Sequence, residues 1–253
     1  MIFNRLFIFR IKYPGWLAIA IGMFGLCTTV FANDHSVRLN DPHYSPEGFF
    51  DIHVCNWPDR KPFFLSLFST YHYDKVRTIQ VFNPDGSLLD TINKKRFKLI
   101  EKKGKPLKRV FIRHTSIPGD AQQGWYTTTV TMNDGRKVSL KDYVIIDYMD
   151  WAREPIPANN AFDVPIPDKL SWKSILGASH YKVFIKDLWQ DGKTIFASKL
   201  IKKSEVKIKP GVLKPDGLYE WRVHARDSNG HVLLGDFNHG SLSPVMKFST
   251  ASD

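Results

Sequence analysis

From Tyr219 to Asp227 the chain changes side-chain character at every step. Tyr219, Trp221, Val223 and Ala225 are apolar, and Glu220, Arg222, His224 and Arg226 stand between them. A period of two turns the first set to one side of an extended chain and the second set to the other. Such a segment is stable as a strand with one buried and one wet face. Tyr181, Val183 and Ile185 repeat the pattern against Lys182 and Lys186. Phe97 and Leu99 alternate with Arg96 and Lys98, and Val110 and Ile112 alternate with Arg109 and Arg113. Beyond the N-terminal segment no stretch sustains the 3.6-residue period of an amphipathic helix.

Polar turns separate the strand-like runs. Asn83-Pro84-Asp85-Gly86, Lys103-Gly104-Lys105-Pro106, Asn133-Asp134-Gly135, Asp191-Gly192 and Ser228-Asn229-Gly230 each supply Gly or Asn where a turn needs positive φ. Strands are expected at Phe49–Cys55, Phe63–Ser69, Thr78–Phe82, Phe97–Glu101, Arg109–His114, Tyr126–Met132, Lys137–Leu140 and Tyr143–Tyr148. A second series is expected at Lys169–Lys173, Tyr181–Asp187, Thr194–Leu200, Glu205–Ile208, Tyr219–Asp227 and Val245–Thr250. Strands spaced by about ten residues with turns between them read as sandwiches or barrels. Between the two series, residues 151–167 hold Pro155, Pro157, Pro165 and Pro167. Proline removes ladder donors and keeps the chain extended, so this stretch reads as a linker or edge-hugging segment and as the domain boundary.

The N-terminus is an export signal by composition. Arg5, Arg10 and Lys12 precede an uncharged run, Gly15–Ala32, that ends Val30-Phe31-Ala32. Cleavage is expected after Ala32, giving a periplasmic or extracellular protein. The alternative is a retained membrane anchor, since a run of this length also meets the lower limit for a span. Residues 33–45 are polar, lack a pattern and read as a flexible mature N-terminus. Removing residues 1–32 takes away three basic residues and no acid, leaving 33 Lys and Arg against 25 Asp and Glu. That surface favours an anionic polymer or membrane surface as partner, and export removes nucleic acid from the expected partners. Of the two cysteines only Cys55 remains, which excludes a disulfide within the mature chain. Its place in a strand-like run reads as a buried thiol.

Several motifs of the second series resemble a fibronectin type III domain. Leu170-Ser171-Trp172 is similar to the family's second strand with its core Trp. Tyr181-Lys182-Val183 is similar to its third strand. Leu213-Lys214-Pro215 followed by Tyr219 resembles the corner leading into the sixth strand, and Arg226-Asp227-Ser228-Asn229-Gly230 the turn after it. The resemblance covers roughly residues 165–250. It implies a β-sandwich, a Tyr219 hydroxyl bonded to backbone a few residues upstream, and an interaction or spacer module. The long Gly-containing stretch Leu233–Ser243 departs from the pattern. The expected fold is therefore all-β: two tandem immunoglobulin-like or fibronectin type III-like β-sandwich domains after a signal peptide. The first domain (46–150) is assigned from its strand count, and the second spans 168–253.

The densest charge lies in the first domain. Lys94, Lys95, Arg96, Lys98, Lys102, Lys103, Lys105, Lys108, Arg109 and Arg113 fall within twenty residues, opposed by Glu101 alone. Their alternation with Phe97, Leu99, Val110 and Ile112 predicts a hairpin with one apolar and one cationic face, a docking strip for an anionic surface. The structural alternative is a hairpin whose charges keep an edge strand soluble. Lys199, Lys202, Lys203, Lys207, Lys209 and Lys214 form a second basic set, read as a solvated face. Trp189, beside the Asp191-Gly192 turn, and Trp57, before Pro58, are candidates for stacking on a sugar ring. The mature chain has no HxH, HExxH or CxxC pattern, no GxSxG and no Gly-rich phosphate loop. His224, His231 and His239 stand seven and eight residues apart across a strand and a loop, a spacing that could converge in space but matches no metal motif. No cofactor, no metal and no catalysis are expected. The expected role is non-catalytic binding, with a spacer that docks a protein partner, or an accessory module of a glycan-processing enzyme, as the alternatives.

Overall fold

The computed structural model describes residues 41–101, 103–227 and 238–252. The expected signal peptide (1–32), residues 33–40, Lys102 and the turn at Ser228-Asn229-Gly230 lie outside the described residues. The chain is all-β. Its described elements are strands and a single 3-10 turn, Leu188–Gln190.

The first domain holds β1 (Tyr44–Ser45), β2 (Gly48–Asn56), β3 (Phe63–Thr70), β4 (Val76–Phe82), β5 (Leu88–Thr91), β6 (Phe97–Ile100), β7 (Lys108–Ser116), β8 (Gly124–Met132) and β9 (Lys137–Val144). One layer runs β2-β3-β7-β6 and the other β5-β4-β8-β9. This is the order of an immunoglobulin-type sandwich. The core forms where the inner faces meet. Phe50, Ile52, Val54, Phe64, Phe68 and Phe111 come from one layer, and Val76, Ile79, Val81, Tyr126, Val130 and Leu140 from the other. Each buried Phe contributes roughly 2–3 kcal/mol. The Asn133-Asp134-Gly135 hairpin forms as expected, with Gly135 at φ 88°. Lys137–Leu140 and Tyr143–Tyr148 were expected as separate strands, but β9 runs unbroken to Val144, because Lys141 and Asp142 keep the period of two between Leu140 and Val144.

The start of the described chain is tied to this sandwich. Tyr44 and Ser45 pair with Phe49 and Gly48. His43 bridges Asp41 (Nδ1 to Oδ1, 2.6 Å) and Asp142 (Nε2 to Oδ1, 2.9 Å). The other oxygen of Asp142 accepts the Ile52 amide at 2.7 Å, which ties β9 to β2. Residues 41–45 are thus held by a clamp that composition does not reveal.

The second domain holds β10 (Ala161–Val164), β11 (Lys169–Ser171), β12 (His180–Asp187), β13 (Lys193–Ala197), β14 (Glu205–Lys207), β15 (Leu218–Arg226), β16 (His239–Leu242) and β17 (Met246–Thr250). β11 pairs with β14, opposite β13-β12-β15-β17. Tyr181, Val183, Ile185, Tyr219, Trp221, Val223 and Ala225 all face inward onto Leu170, Trp172 and Val206. The alternation read from the sequence therefore sets the core. Lys214 donates its amide to the Tyr219 hydroxyl at 2.8 Å, closing the corner that the resemblance implied. The Pro-rich segment 151–167 lies along this domain: Ile156 bridges Ser171, and β10 pairs in parallel with β17.

The two sandwiches are joined through β16. It pairs with the end of β15 on one side and, in parallel, with β2 of the first domain on the other, setting Gly240 beside both Arg226 and Cys55. One eleven-stranded sheet therefore passes through both domains. Side chains reinforce the seam. The Trp151 indole donates to the Asn56 carbonyl at 3.1 Å, and the Ser241 hydroxyl to the Asp150 carbonyl at 2.7 Å. His239 bonds Asp227 through Nδ1 at 2.6 Å and the Ile145 carbonyl through Nε2 at 2.9 Å. Both ring nitrogens meet acceptors, so the imidazolium fits this place best. Burial opposes the charge, but Asp227 and the Ile145 carbonyl raise the His239 pKa above its ordinary value.

Candidate functional site: a basic groove shared by both sandwiches

Inner faces of the sheet fill the two cores, so its outer faces are left to meet at the seam. Register places Lys182 opposite His224, Phe184 opposite Arg222 and Lys186 opposite Glu220 on the outer face of the second domain. Leu242 on β16 continues that row beside His224. Beyond the seam, His53 lies opposite Leu65, Leu65 opposite His114, and Leu67 opposite Ile112. Together these side chains line a groove of about 1250 Å³ with walls from both domains. Trp57 closes one part of it, edge-on to Phe63 and His114.

The groove is strongly cationic. Lys98, Lys105, Lys108, Lys182, Lys186, Arg222 and Arg226 line it, with Glu220 as the one carboxylate among the described residues of the walls. Glu220 is already bound to Lys186 at 2.8 Å. The field is visible in the histidines. His224 is pushed down to about 3 by burial and by Arg226, Lys182 and Lys98. Arg226 donates to its Nδ1 at 3.1 Å, which fixes a neutral ring with the proton on Nε2. His114 is lowered by burial and by Arg60, Arg96, Lys98 and Arg113. Lys98 of the first domain thus acts on a histidine in each domain.

The basic hairpin is built, but its faces differ from the expectation. Phe97 lies opposite Phe111, Lys98 opposite Val110, Leu99 opposite Arg109 and Ile100 opposite Lys108. Opposed residues share a face, so Val110 and Ile112 stand with Lys98, and Arg109 stands with Leu99. The hairpin has two mixed faces rather than one apolar and one cationic. Alternation fixes the faces within each strand, whereas the connecting loop fixes which face of one strand meets which of the next.

The ten expected cations consequently separate. Lys98, Lys105 and Lys108 look into the groove. Arg109 stacks over the rings of Tyr73 and Phe97, at 4.1 and 4.3 Å from their centroids. Arg113 binds Asp90 at 2.7 Å, and Lys94 donates to the Val76 carbonyl. Lys95, Arg96 and Lys103 are exposed outside the groove walls, and Lys102 lies outside the described residues. Trp189 is 70% exposed at the 3-10 turn, where its indole donates to the Asp216 carbonyl, and it is not part of the groove. The second basic set also lies outside the walls.

Lys182, Lys186, Arg222 and Arg226 are the residues that sequence reasoning passed over as candidates. Their signal was present as the wet half of the period-two pattern, and only the seam turns that half toward a partner wall. Cys55 sits at the seam, buried, and burial pushes its thiol up to about 12. Among the described residues no three His, Cys, Asp or Glu side chains gather as they would around a metal ion.

No family model and no curated protein matches the sequence. Solved structures with some similarity include dimeric latent PorU from Porphyromonas gingivalis, at 14% identity and TM-score 0.28, over 82% of this chain and 20% of that one. DIP-gamma IG1+IG2 matches at 12% identity and TM-score 0.24, over 82% of this chain and 98% of that one. SGBP-B of the Bacteroides ovatus mixed-linkage glucan utilization locus, in complex with a mixed-linkage heptasaccharide, matches at 13% identity and TM-score 0.23, over 78% and 43%. This chain spans about a fifth of the length of PorU.

Proposed function

We propose that this is an exported, non-catalytic recognition protein that binds an anionic ligand in the groove between its two sandwiches. The observation that carries the proposal is the convergence of seven Lys and Arg side chains from two domains on one concave surface, where the single wall carboxylate among the described residues is already paired. Walls of low dielectric strengthen such a field and draw in anions. The work is recognition: Lys and Arg supply charge, and the rigid sheet holds them in register. Relative to the docking strip expected from the sequence, the site moves from the exposed hairpin to the enclosed face. It keeps Lys98, Lys105 and Lys108 and adds the cations of β12 and β15.

The test is titration of the mature chain with a short polyphosphate at several salt concentrations. Binding should weaken steeply with salt. Lys182→Gln or Arg222→Gln should each weaken it at low salt and reduce the log–log salt slope by about one, the value for loss of one phosphate contact. Lys95→Gln with Lys103→Gln should leave the slope unchanged. The reverse pattern would return the site to the outer hairpin, and absence of any binding would remove the proposal.

A further inference from the structure

The two walls of the groove differ in chemistry. On the second domain, Lys182 and Lys186 flank Phe184 along the outer face of β12, and Arg222 stands opposite Phe184 on β15. On the first domain, which also contributes Lys98, Lys105 and Lys108, Leu65, Leu67, Val110 and Ile112 form a contiguous apolar strip on β3 and β7. Leu67 and Ile112 lie directly opposite one another, so the strip is unbroken across the two strands. A free inorganic anion or a flexible polyanion would use the cations of both walls and leave this apolar strip in contact with water. Leaving such a strip wet is unfavourable in proportion to its area.

We infer that the groove takes an anionic amphiphile, with its phosphate or carboxylate head on Lys182, Lys186 and Arg222 and its hydrocarbon chain along Leu65, Leu67, Val110 and Ile112. This deepens the proposed function and rests on it. Charge complementarity selects the head: the cationic wall holds one acid, Glu220, bound to Lys186. The apolar strip selects the tail, because those side chains stand on the outer face of their sheet and line the groove, Leu67 buried and Leu65, Val110 and Ile112 half-buried. A volume of about 1250 Å³ exceeds the usual range for small-molecule pockets, up to about 1,000 Å³, and so leaves room for a chain as well as a head.

The experiment is calorimetric titration of the mature chain with n-alkyl phosphates of four to ten carbons, each below its micellar concentration. Inorganic phosphate, a short polyphosphate and the matching alkyl glucosides are the comparison arms. Affinity for the alkyl phosphates should rise about fourfold for each methylene that the strip covers, the factor for burying a CH₂. The glucoside of equal chain length should bind at least tenfold more weakly than the phosphate. Leu65→Gln, a change on the outer face, should flatten the chain-length series, and a cooperative urea transition shows that the variant is folded. Lys182→Glu should weaken every anion. If affinity is independent of chain length while polyphosphate binds, the amphiphile is overturned and the anion site stands. If glucosides bind as well as phosphates, the head assignment is overturned. If no anion binds, both fall together.

Discussion

Replacing His43 by glutamine should remove a pH-dependent part of the protein's stability. His43 is 14% exposed and lies between Asp41 and Asp142, at 2.6 and 2.9 Å. Burial works against its charge, but the hydrogen bonds and charges of Asp142 and Asp41 override burial and raise its pKa from 6.5 to about 9. The unfolded chain titrates near the ordinary value, so between these limits the unfolded state loses its proton first. The stabilisation is fully present below pH 6.5 and is lost as pH rises toward 9. A displacement of that size corresponds to about 3–4 kcal/mol in full, and to about 2–3 kcal/mol once screening by water at the open edge of the site is allowed for. The assay is urea unfolding of the mature wild type and His43→Gln from pH 6 to pH 9.5. The variant should be about 2–3 kcal/mol less stable at pH 6, and the two should converge by pH 9.5. Taking the difference between the proteins cancels the contribution of His239, which is raised in the same sense. An equal deficit at both ends would show that His43 acts through its shape and not through its charge.

Other outcomes are equally specific. Tyr219→Phe removes the oxygen that accepts the Lys214 amide and should cost about 1–2 kcal/mol, read as a lowered urea midpoint with an unchanged m-value. Cys55 should resist a soluble disulfide reagent at pH 8 until urea unfolds the chain, because its thiolate is disfavoured where it sits; stoichiometric labelling of the native protein within minutes would contradict its burial. Trp189→Ala should leave polyphosphate affinity within twofold of wild type, since the indole lies outside the groove.

Much of the fold is legible in the sequence because it is local. The period of two in Tyr219–Arg226 names the core-facing side chains of β15 outright, and the same holds for Tyr181, Val183 and Ile185. Asn133-Asp134-Gly135 names a hairpin. The first domain also carries a legible sign that went unassigned: Tyr126 donates its hydroxyl to the Gln122 carbonyl at 3.0 Å, a corner like that of Tyr219. Less legible were short strands without an alternating pattern, such as β5 and β10, and the hairpin register that sorts Lys98 from Arg109. Least legible was the seam. β16 meets β2 in parallel from the far end of the chain, through the residues His239, Gly240 and Ser241, which carry no strand signature of their own. The candidate site depends on that pairing, so its residues could be read as wet but not as converging.

The central claim is that one concave surface, drawn from both sandwiches, is the binding site. Lysine acetylation with and without saturating polyphosphate, mapped by mass spectrometry, tests it most directly. The ligand should protect Lys98, Lys105 and Lys108 of the first domain together with Lys182 and Lys186 of the second, and leave Lys95, Lys103, Lys202 and Lys203 as reactive as before. Protection confined to a single domain, or spread evenly over all lysines, would contradict it.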